Sequence, residues 1–262
     1  MITGPINPAR VAISDDKAAY AGTNAAKVAT QNKNNISGNQ SGVTEISSLA
    51  SQLAASAAYS SEKNKGLGFA ELGDKARALL DQIVGEGFSR NKARNDSEVP
   101  KATDTASLER AKAATAFANG TFKDGVGSEP NPFAGMSPDQ LATIAYDESG
   151  TFTANERYAA YRESYQQEQN WRVAVVAKMQ EEYNSTGKLT NFFKEVLAHY
   201  EGLPLMEQVQ YPKDYAADLK EKIKLDFNYL ESVVAGGGQD GISAAKSFLR
   251  PMLEPSGSTT QL

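Results

Sequence analysis

Residues 137–183 contain two successive helix starts and read SPDQLATIAYDESGTFTANERYAAYRESYQQEQNWRVAVVAKMQEEY. The first start is SPDQ at 137–140, where serine can cap the helix, proline suits its first position and glutamine can close a capping box. The second is TANE at 153–156, which repeats the capping-box pattern, and the next break in the sequence ends at Gly187. The second start predicts a long central helix that runs to about Tyr183 and spans about 45 Å.

The apolar positions of this central helix change face along its length. In order, they include Tyr158, Tyr161, Tyr165, Trp171, Val175, Met179 and Tyr183. The helical spacing is interrupted between Tyr165 and Trp171, so we expect the buried face to shift midway and more than one element to pack on the helix.

Shorter helices are predicted on both sides of the central one. They cover 43–59, 70–84, 105–119, 138–146, 191–200, 213–234 and 242–250, with an exposed linker within 86–104 and a loop over 121–136. Apolar residues recur at helical spacing in these segments, and none alternates as a strand does. The predicted fold class is all-α, an irregular multi-helix array with a long central helix.

Two of the shorter helices carry clear apolar stripes. The helix over 43–59 places Ile46, Leu49, Leu53 and Ala57 on one face, with serine and glutamine on the opposite face. The helix over 213–234 has a stripe made of Tyr215, Leu219, Ile223, Phe227, Leu230 and Val234. We expect both helices to form core or to face a partner, with Leu219, Ile223 and Phe227 pointing into the core.

The two ends of the chain differ in composition from its middle. Residues 1–42 are rich in Ala, Asn, Ser, Thr, Gln and Gly and carry few larger aliphatic side chains, so burial cannot offset the entropy lost on ordering. The sequence therefore predicts a disordered, flexible N-terminal tail over 1–42, a helical domain over 43–250 and a polar C-terminal tail over 251–262.

Charge and composition exclude several classes of function. The formal net charge is -5 and no run of Lys and Arg could neutralise several phosphates, which argues against a nucleic-acid partner. No stretch of 18 apolar residues occurs, which argues against a membrane span. Cysteine is absent, which excludes disulfides, thiol nucleophiles and cysteine-ligated zinc. The start lacks the apolar block of a Sec signal peptide, so the expected location is cytoplasmic, or secreted without that signal.

Catalytic patterns are weak. His199 is the only histidine, and no Gly-x-Ser-x-Gly turn presents a serine beside it, so we expect a half-buried structural histidine. A glycosidase needs two carboxylates at a set distance, but 32 Asp and Glu residues offer many pairs and the sequence selects none. Tyr158, Tyr161, Tyr165 and Trp171 could form a platform for a carbohydrate or a peptide, or could simply be core residues. No catalytic residue is predicted.

The loop from Ala145 to Glu156 follows the spacing of a 12-residue calcium loop. Asp147, Ser149 and Thr153 fall at positions 3, 5 and 9, and Glu156 falls at the terminal carboxylate position. Alanine replaces the first carboxylate, so any Ca²⁺ binding should be weak. The alternative needs no ion, because Asp147 and Ser149 can form the turn while Thr153 and Glu156 cap the next helix.

Three blocks carry a resemblance to known sequences, namely SSLASQLAASAAY (47–59), NPFAGMSPDQLATIAYDESGTFTANERYAAY (131–161) and TGKLTNFFKEVLAHYEGLP (186–204). They resemble an uncharacterised family of helical proteins from pseudomonads and other proteobacteria. That resemblance implies a bacterial source and a shared fold but no catalytic residues. The Ser, Thr, Asn and Gln-rich start is similar to the N-termini of type III secreted proteins.

The function expected from these patterns is that of a non-enzymatic bacterial interaction protein whose partner is a protein. One alternative is an effector-like protein secreted by a type III or other signal-peptide-independent route. The other is a weak calcium-binding module of the EF-hand kind, with Asp147, Ser149, Thr153 and Glu156 as ligands.

Overall fold

The structure, a computed structural model, describes residues 40–124 and 129–224. Its helices are α1 Gln40–Asn64, α2 Phe69–Asp81, α3 Glu86–Arg90, α4 Lys92–Asp96, α5 Thr105–Asp124, α6 Pro138–Ala145, α7 Ala154–Thr186, α8 Thr190–Gly202, α9 Leu205–Gln208 and α10 Tyr215–Lys224. Neither described range contains a β-strand, so the all-α prediction is confirmed.

Several sequence predictions fall outside the described residues. The predicted tails over 1–42 and 251–262 lie there, apart from the three residues at 40–42, which begin α1. The helix predicted over 242–250 lies there too, as do Phe227 and the stripe positions that follow it.

The predicted central helix is α7, and it is 33 residues long. It ends three residues later than Tyr183, because the hydroxyls of Ser185 and Thr186 donate to backbone carbonyls one turn back and so fit inside the helix. Gly187 then ends it with a left-handed backbone at φ 70°.

Two hydrophobic cores lie along α7. The first core packs α1, α2, α5 and α6 against the N-terminal half of α7, and its largest fully buried apolar side chains are Leu53, Ile83, Phe133, Leu141 and Ile144. The second core packs α8 and α10 against the C-terminal half, and it consists of Val175, Leu189, Phe192, Phe193, Val196, Tyr200, Tyr215, Ala216 and Leu219. The expected change of buried face along the central helix is therefore confirmed.

The apolar stripe of α10 faces the second core. Leu219 is fully buried there, and Ile223 packs against it while partly exposed. Two other predictions are wrong in part. The exposed linker within 86–104 contains α3 and α4, which bury Phe88 and Asn95. The helix predicted to stop at 119 continues as α5 to Asp124, so the first four residues of the predicted loop over 121–136 are helical.

Two polar side chains of α1 are buried rather than exposed. Gln52 and Ser56 are almost inaccessible to solvent, because each meets a polar partner from elsewhere in the chain. Gln52 donates from Nε2 to Ser107 Oγ at 2.7 Å, and it accepts a hydrogen bond from Arg110. Ser56 Oγ donates to Asp147 at 2.6 Å. Buried polar groups with such partners are tolerated, and hydrophobic periodicity alone cannot find them.

Among the described helices, none combines the length and the apolar character needed to cross a bilayer.

Candidate functional site

The first half of the predicted calcium loop is organised by a buried aspartate. Asp147 Oδ1 accepts hydrogen bonds from Ser56 Oγ at 2.6 Å, from Ser149 Oγ at 2.6 Å and from the Ser149 amide at 3.1 Å. Its Oδ2 accepts from the Phe152 amide at 3.1 Å. The carboxylate therefore shapes the turn and fastens it to α1.

The second half of the loop is the N-terminal cap of α7. Thr153 Oγ1 accepts from the Glu156 amide at 3.2 Å, and Glu156 Oε2 accepts from the Thr153 amide at 2.9 Å. Glu156 is fully buried, and its Oε1 lies 3.0 Å from Arg110 Nε. Burial raises the pKa of Glu156, although the Thr153 bonds and Arg110 act in the opposite direction.

The structure thus brings Asp147 to Ser149 and Thr153 to Glu156, in two separate networks. Every carboxylate oxygen in them already accepts a hydrogen bond from a protein donor. Within the described residues no cluster of three or more His, Cys, Asp and Glu side chains could hold a metal. This geometry favours the turn and cap interpretation, and calcium binding stays a prediction.

Thr153→Ala is expected to lower the free energy of unfolding by about 0.5–2 kcal/mol, since it removes the cap of α7. Denaturant unfolding should give the same loss in millimolar calcium and in chelator. Ser137→Ala, at the capping box of α6, is the matched control. A calcium-dependent stabilisation that disappears in Glu156→Gln would contradict this expectation and favour an ion site.

A cleft opens where the two cores meet along α7. Its volume is 70 Å³, and it is lined by four tyrosines, three charged side chains, two other polar side chains and two leucines. They are Tyr146, Tyr161, Tyr165, Tyr211, Glu168, Glu207, Arg172, Ser164, Gln210, Leu80 and Leu203. We call this the tyrosine cleft. One wall is a single face of α7, because its contributions at 161, 164, 165, 168 and 172 recur at helical spacing.

The predicted aromatic platform is split by the fold. Tyr161 and Tyr165 line the tyrosine cleft, with ring centroids 6.4 Å apart. Tyr158 instead stacks on Phe88 in the first core, at 4.9 Å. Trp171 packs against the second core. Only half of the predicted set can therefore contact a ligand in the cleft.

Glu168 lines the cleft and contacts two basic side chains. Arg172 Nε lies 3.0 Å from its Oε1, and His199 Nε2 lies 2.7 Å from its Oε2. Burial by itself would raise the pKa of Glu168, but these contacts outweigh it and hold that pKa below its usual value. The His199 ring stacks on Trp171 with centroids 3.5 Å apart, and the histidine is half-buried as expected.

Glu207, which also lines the cleft, has no basic side chain beside it in the described part of the chain. Ser164 Oγ donates to it at 2.9 Å, and no basic side chain of the described residues lies within ion-pair distance. Burial, with the negative charges of Glu168 and Asp139, raises the pKa of Glu207 to about 7. A cation placed beside Glu207 would stabilise the ionised form of this carboxyl group.

Arg172 has a buried hydrogen-bond donor without an acceptor in the described part of the chain. The residue is 8% exposed. Its guanidinium also donates a hydrogen bond to the Tyr211 hydroxyl, but its Nη1 is buried without a hydrogen-bond partner among the described residues. A buried donor without an acceptor costs about 1–3 kcal/mol. The tyrosine cleft therefore offers an unmatched donor at Arg172 and an uncompensated carboxyl group at Glu207.

A wider depression of 620 Å³ lies between α2, α4 and the start of α7. Arg157, which lines this depression and is partly buried, donates to the carbonyls of Ala145 at 3.1 Å and Leu79 at 3.3 Å and to Gln82 Oε1 at 3.4 Å. Because these groups are already paired, the depression offers less to a ligand than the tyrosine cleft does.

Glu207→Gln is expected to stabilise the protein above neutral pH. The folded-state pKa of about 7 exceeds the usual 4.5, so the cost of ionising Glu207 is absent below about pH 4.5 and complete above about pH 7. At about pH 8 the variant should be more stable by up to about 3 kcal/mol, and at about pH 4 the two proteins should match.

Urea unfolding at a series of pH values measures this difference. Glu201→Gln, which changes an exposed glutamate on α8, should leave the pH dependence as it is. Parallel curves for wild type and Glu207→Gln at every pH would contradict the expectation.

Sequence reasoning did not select Ser164, Glu168, Arg172 and Glu207. A signal existed for the first three, since they share one helical face with Tyr161 and Tyr165. None existed for Glu207, which reaches the cleft from α9, 43 residues beyond Ser164.

Comparisons with protein-family models, with curated proteins and with solved structures found no match for this chain. The geometry of the tyrosine cleft therefore provides the basis for a functional proposal.

Proposed function

We propose that the protein is a non-enzymatic interaction protein that binds a partner polypeptide at the tyrosine cleft. The observation that carries this proposal is the buried Nη1 of Arg172, a residue that lines the cleft, because this donor has no hydrogen-bond partner among the described residues. A polypeptide supplies carbonyl oxygens for such a donor, and tyrosine is among the residues that contribute most at protein interfaces.

The size of the cleft supports a polypeptide side chain as its occupant. Sites for whole small molecules usually enclose about 300–1,000 Å³, whereas the tyrosine cleft measures 70 Å³. A partner can insert the end of one side chain there and rest its backbone on Tyr165 and Leu203, two lining residues that are partly exposed.

A carboxylate-dependent hydrolase is the second candidate, because Glu168 and Glu207 have pKa values shifted in opposite directions within one cleft. Two facts favour binding over catalysis. Both oxygens of Glu168 are already engaged by Arg172 and His199, and the cleft is small for a substrate. Turnover of fluorogenic glycosides that is lost in both Glu168→Gln and Glu207→Gln would favour the hydrolase.

The proposal applies to either expected location, the cytoplasm or a site reached without a Sec signal peptide. Export as an effector-like protein remains the alternative role, and its support is the composition of residues 1–42. In that case the partner polypeptide belongs to a host or rival cell.

Selection of peptides from a random display library on the immobilised full chain tests the proposal. We expect the selected peptides to lose about tenfold or more in affinity for Tyr165→Ala and for Glu207→Gln. Val173→Ser is the matched control, because Val173 lies beside Arg172 on α7 but is 73% exposed.

Fluorescence anisotropy of labelled peptides gives these affinities, and thermal unfolding establishes that each variant is folded. Peptides that bind all three variants as tightly as wild type would contradict the proposal, as would a selection that yields no specific binder.

A further inference from the structure

We propose that the tyrosine cleft recognises a lysine side chain of the partner polypeptide, with the ammonium group placed between the Glu207 carboxylate and the neighbouring tyrosine rings. This inference rests on the proposed function and names the chemistry of the inserted side chain. It follows from the charges, the rings and the size of the cleft.

The charges in the cleft leave one negative group to be matched. Glu168 is compensated by Arg172 at 3.0 Å, and its other carboxylate oxygen is hydrogen-bonded to His199 Nε2 at 2.7 Å. Glu207 has only the Ser164 hydroxyl, at 2.9 Å, and no cation among the described residues. A cation from outside therefore completes the charge balance. The formal charge of -5 on the whole chain also favours encounter with a basic partner.

The rings beside Glu207 suit a cation. Burial raises the pKa values of Tyr146, Tyr161 and Tyr211, so their hydroxyls stay protonated and their rings neutral at physiological pH. Tyr146 is further fixed by Gln210 Nε2, which donates to its hydroxyl at 2.7 Å. An ammonium group over the face of a tyrosine gains a cation–π interaction, which is stronger where water is excluded.

The size of the cleft favours lysine over arginine. A volume of 70 Å³ accommodates a compact ammonium group more readily than a planar guanidinium. The four methylene groups of lysine can pack against the apolar side chains that line the same cleft, Leu80 and Leu203. A backbone carbonyl of the partner can then accept a hydrogen bond from Arg172 Nη1. A simple amine has no carbonyl group and cannot make this bond.

Three probes test the inference on the full chain: N-acetyl-lysine methylamide, its norleucine analogue and n-butylammonium. Amide shifts in ¹⁵N NMR spectra report binding. We expect the lysine probe to bind in the millimolar range and the norleucine probe at least about tenfold more weakly. n-Butylammonium should fall between them, since it carries the cation without the carbonyl groups.

Two variants complete the test. Glu207→Gln should lower the affinity for the lysine probe by about tenfold or more and leave the affinity for the norleucine probe unchanged. Val173→Ser should change neither affinity. Lysine-probe affinity should also fall as the pH is lowered through about 7, because protonation removes the charge on Glu207.

Equal affinity for the lysine and norleucine probes, or a lysine affinity unaffected by Glu207→Gln, would overturn the inference. If display peptides still bind the cleft but tolerate norleucine in place of lysine, only this inference fails and the proposed function stands. If no peptide depends on cleft residues, both fail. If n-butylammonium equals the lysine probe, the ligand is a free amine and the polypeptide source is wrong.

Discussion

Arg110→Met is expected to lower the free energy of unfolding by about 3–5 kcal/mol near neutral pH, because it leaves the Glu156 carboxylate buried without its cation. Arg110 is 10% exposed and Glu156 is fully buried, with Nε and Oε1 3.0 Å apart. The substitution also removes the hydrogen bond that Arg110 donates to Gln52 of α1. Denaturant unfolding monitored by helical circular dichroism measures the loss.

The double variant Arg110→Met with Glu156→Gln separates the buried charge from the lost packing. It should recover much of the stability, because a neutral amide in the same place still accepts from the Thr153 amide. The loss in Arg110→Met should also shrink in acid, since burial already raises the pKa of Glu156 and favours its neutral form. A loss below about 0.5 kcal/mol would mean that the ion pair is exposed or absent.

Phe133→Ala is expected to cost about 3–5 kcal/mol, the second of the two largest effects. Phe133 is fully buried in the first core although it lies in a loop. Its backbone is fixed by hydrogen bonds. The Phe133 amide donates to Asn131 Oδ1 at 2.9 Å, and Asn131 Nδ2 donates to the Ala159 carbonyl at 2.8 Å. Truncating the ring leaves a cavity that these fixed neighbours cannot fill.

Val99→Ala is the matched control for Phe133→Ala, because Val99 is 65% exposed. It should change the free energy of unfolding by less than about 0.5 kcal/mol. Chemical unfolding of both variants decides the matter. Equal small effects would show that the loop does not belong to the core.

The features that could be predicted from the sequence are those whose hydrogen bonds are local. The capping boxes at Ser137 and Thr153 close over three residues, so composition and spacing reveal them. The central helix and its change of buried face follow likewise from apolar spacing within α7. The same spacing placed Leu219 in the core.

The features that could not be predicted depend on pairs far apart in the chain. Gln52 meets Ser107 across 55 residues, and Ser56 meets Asp147 across 91. Each side chain by itself is typical of a solvated helix face, so its burial becomes visible only when the helices pack. The wall of the tyrosine cleft on α7 is a sequence pattern, but its pairing with Glu207 depends on how α9 returns to the central helix.

Binding of a polypeptide at the tyrosine cleft is tested most directly by mapping the contact surface of a selected display peptide. The measurement is the change in amide shifts of the ¹⁵N-labelled full chain on saturation with that peptide. We predict that the largest changes lie on α7 from Tyr161 to Arg172 and in the segment 203–211, the two walls of the cleft. Changes confined to other surfaces, such as the exposed residues of α1 and α5, would contradict the proposed site.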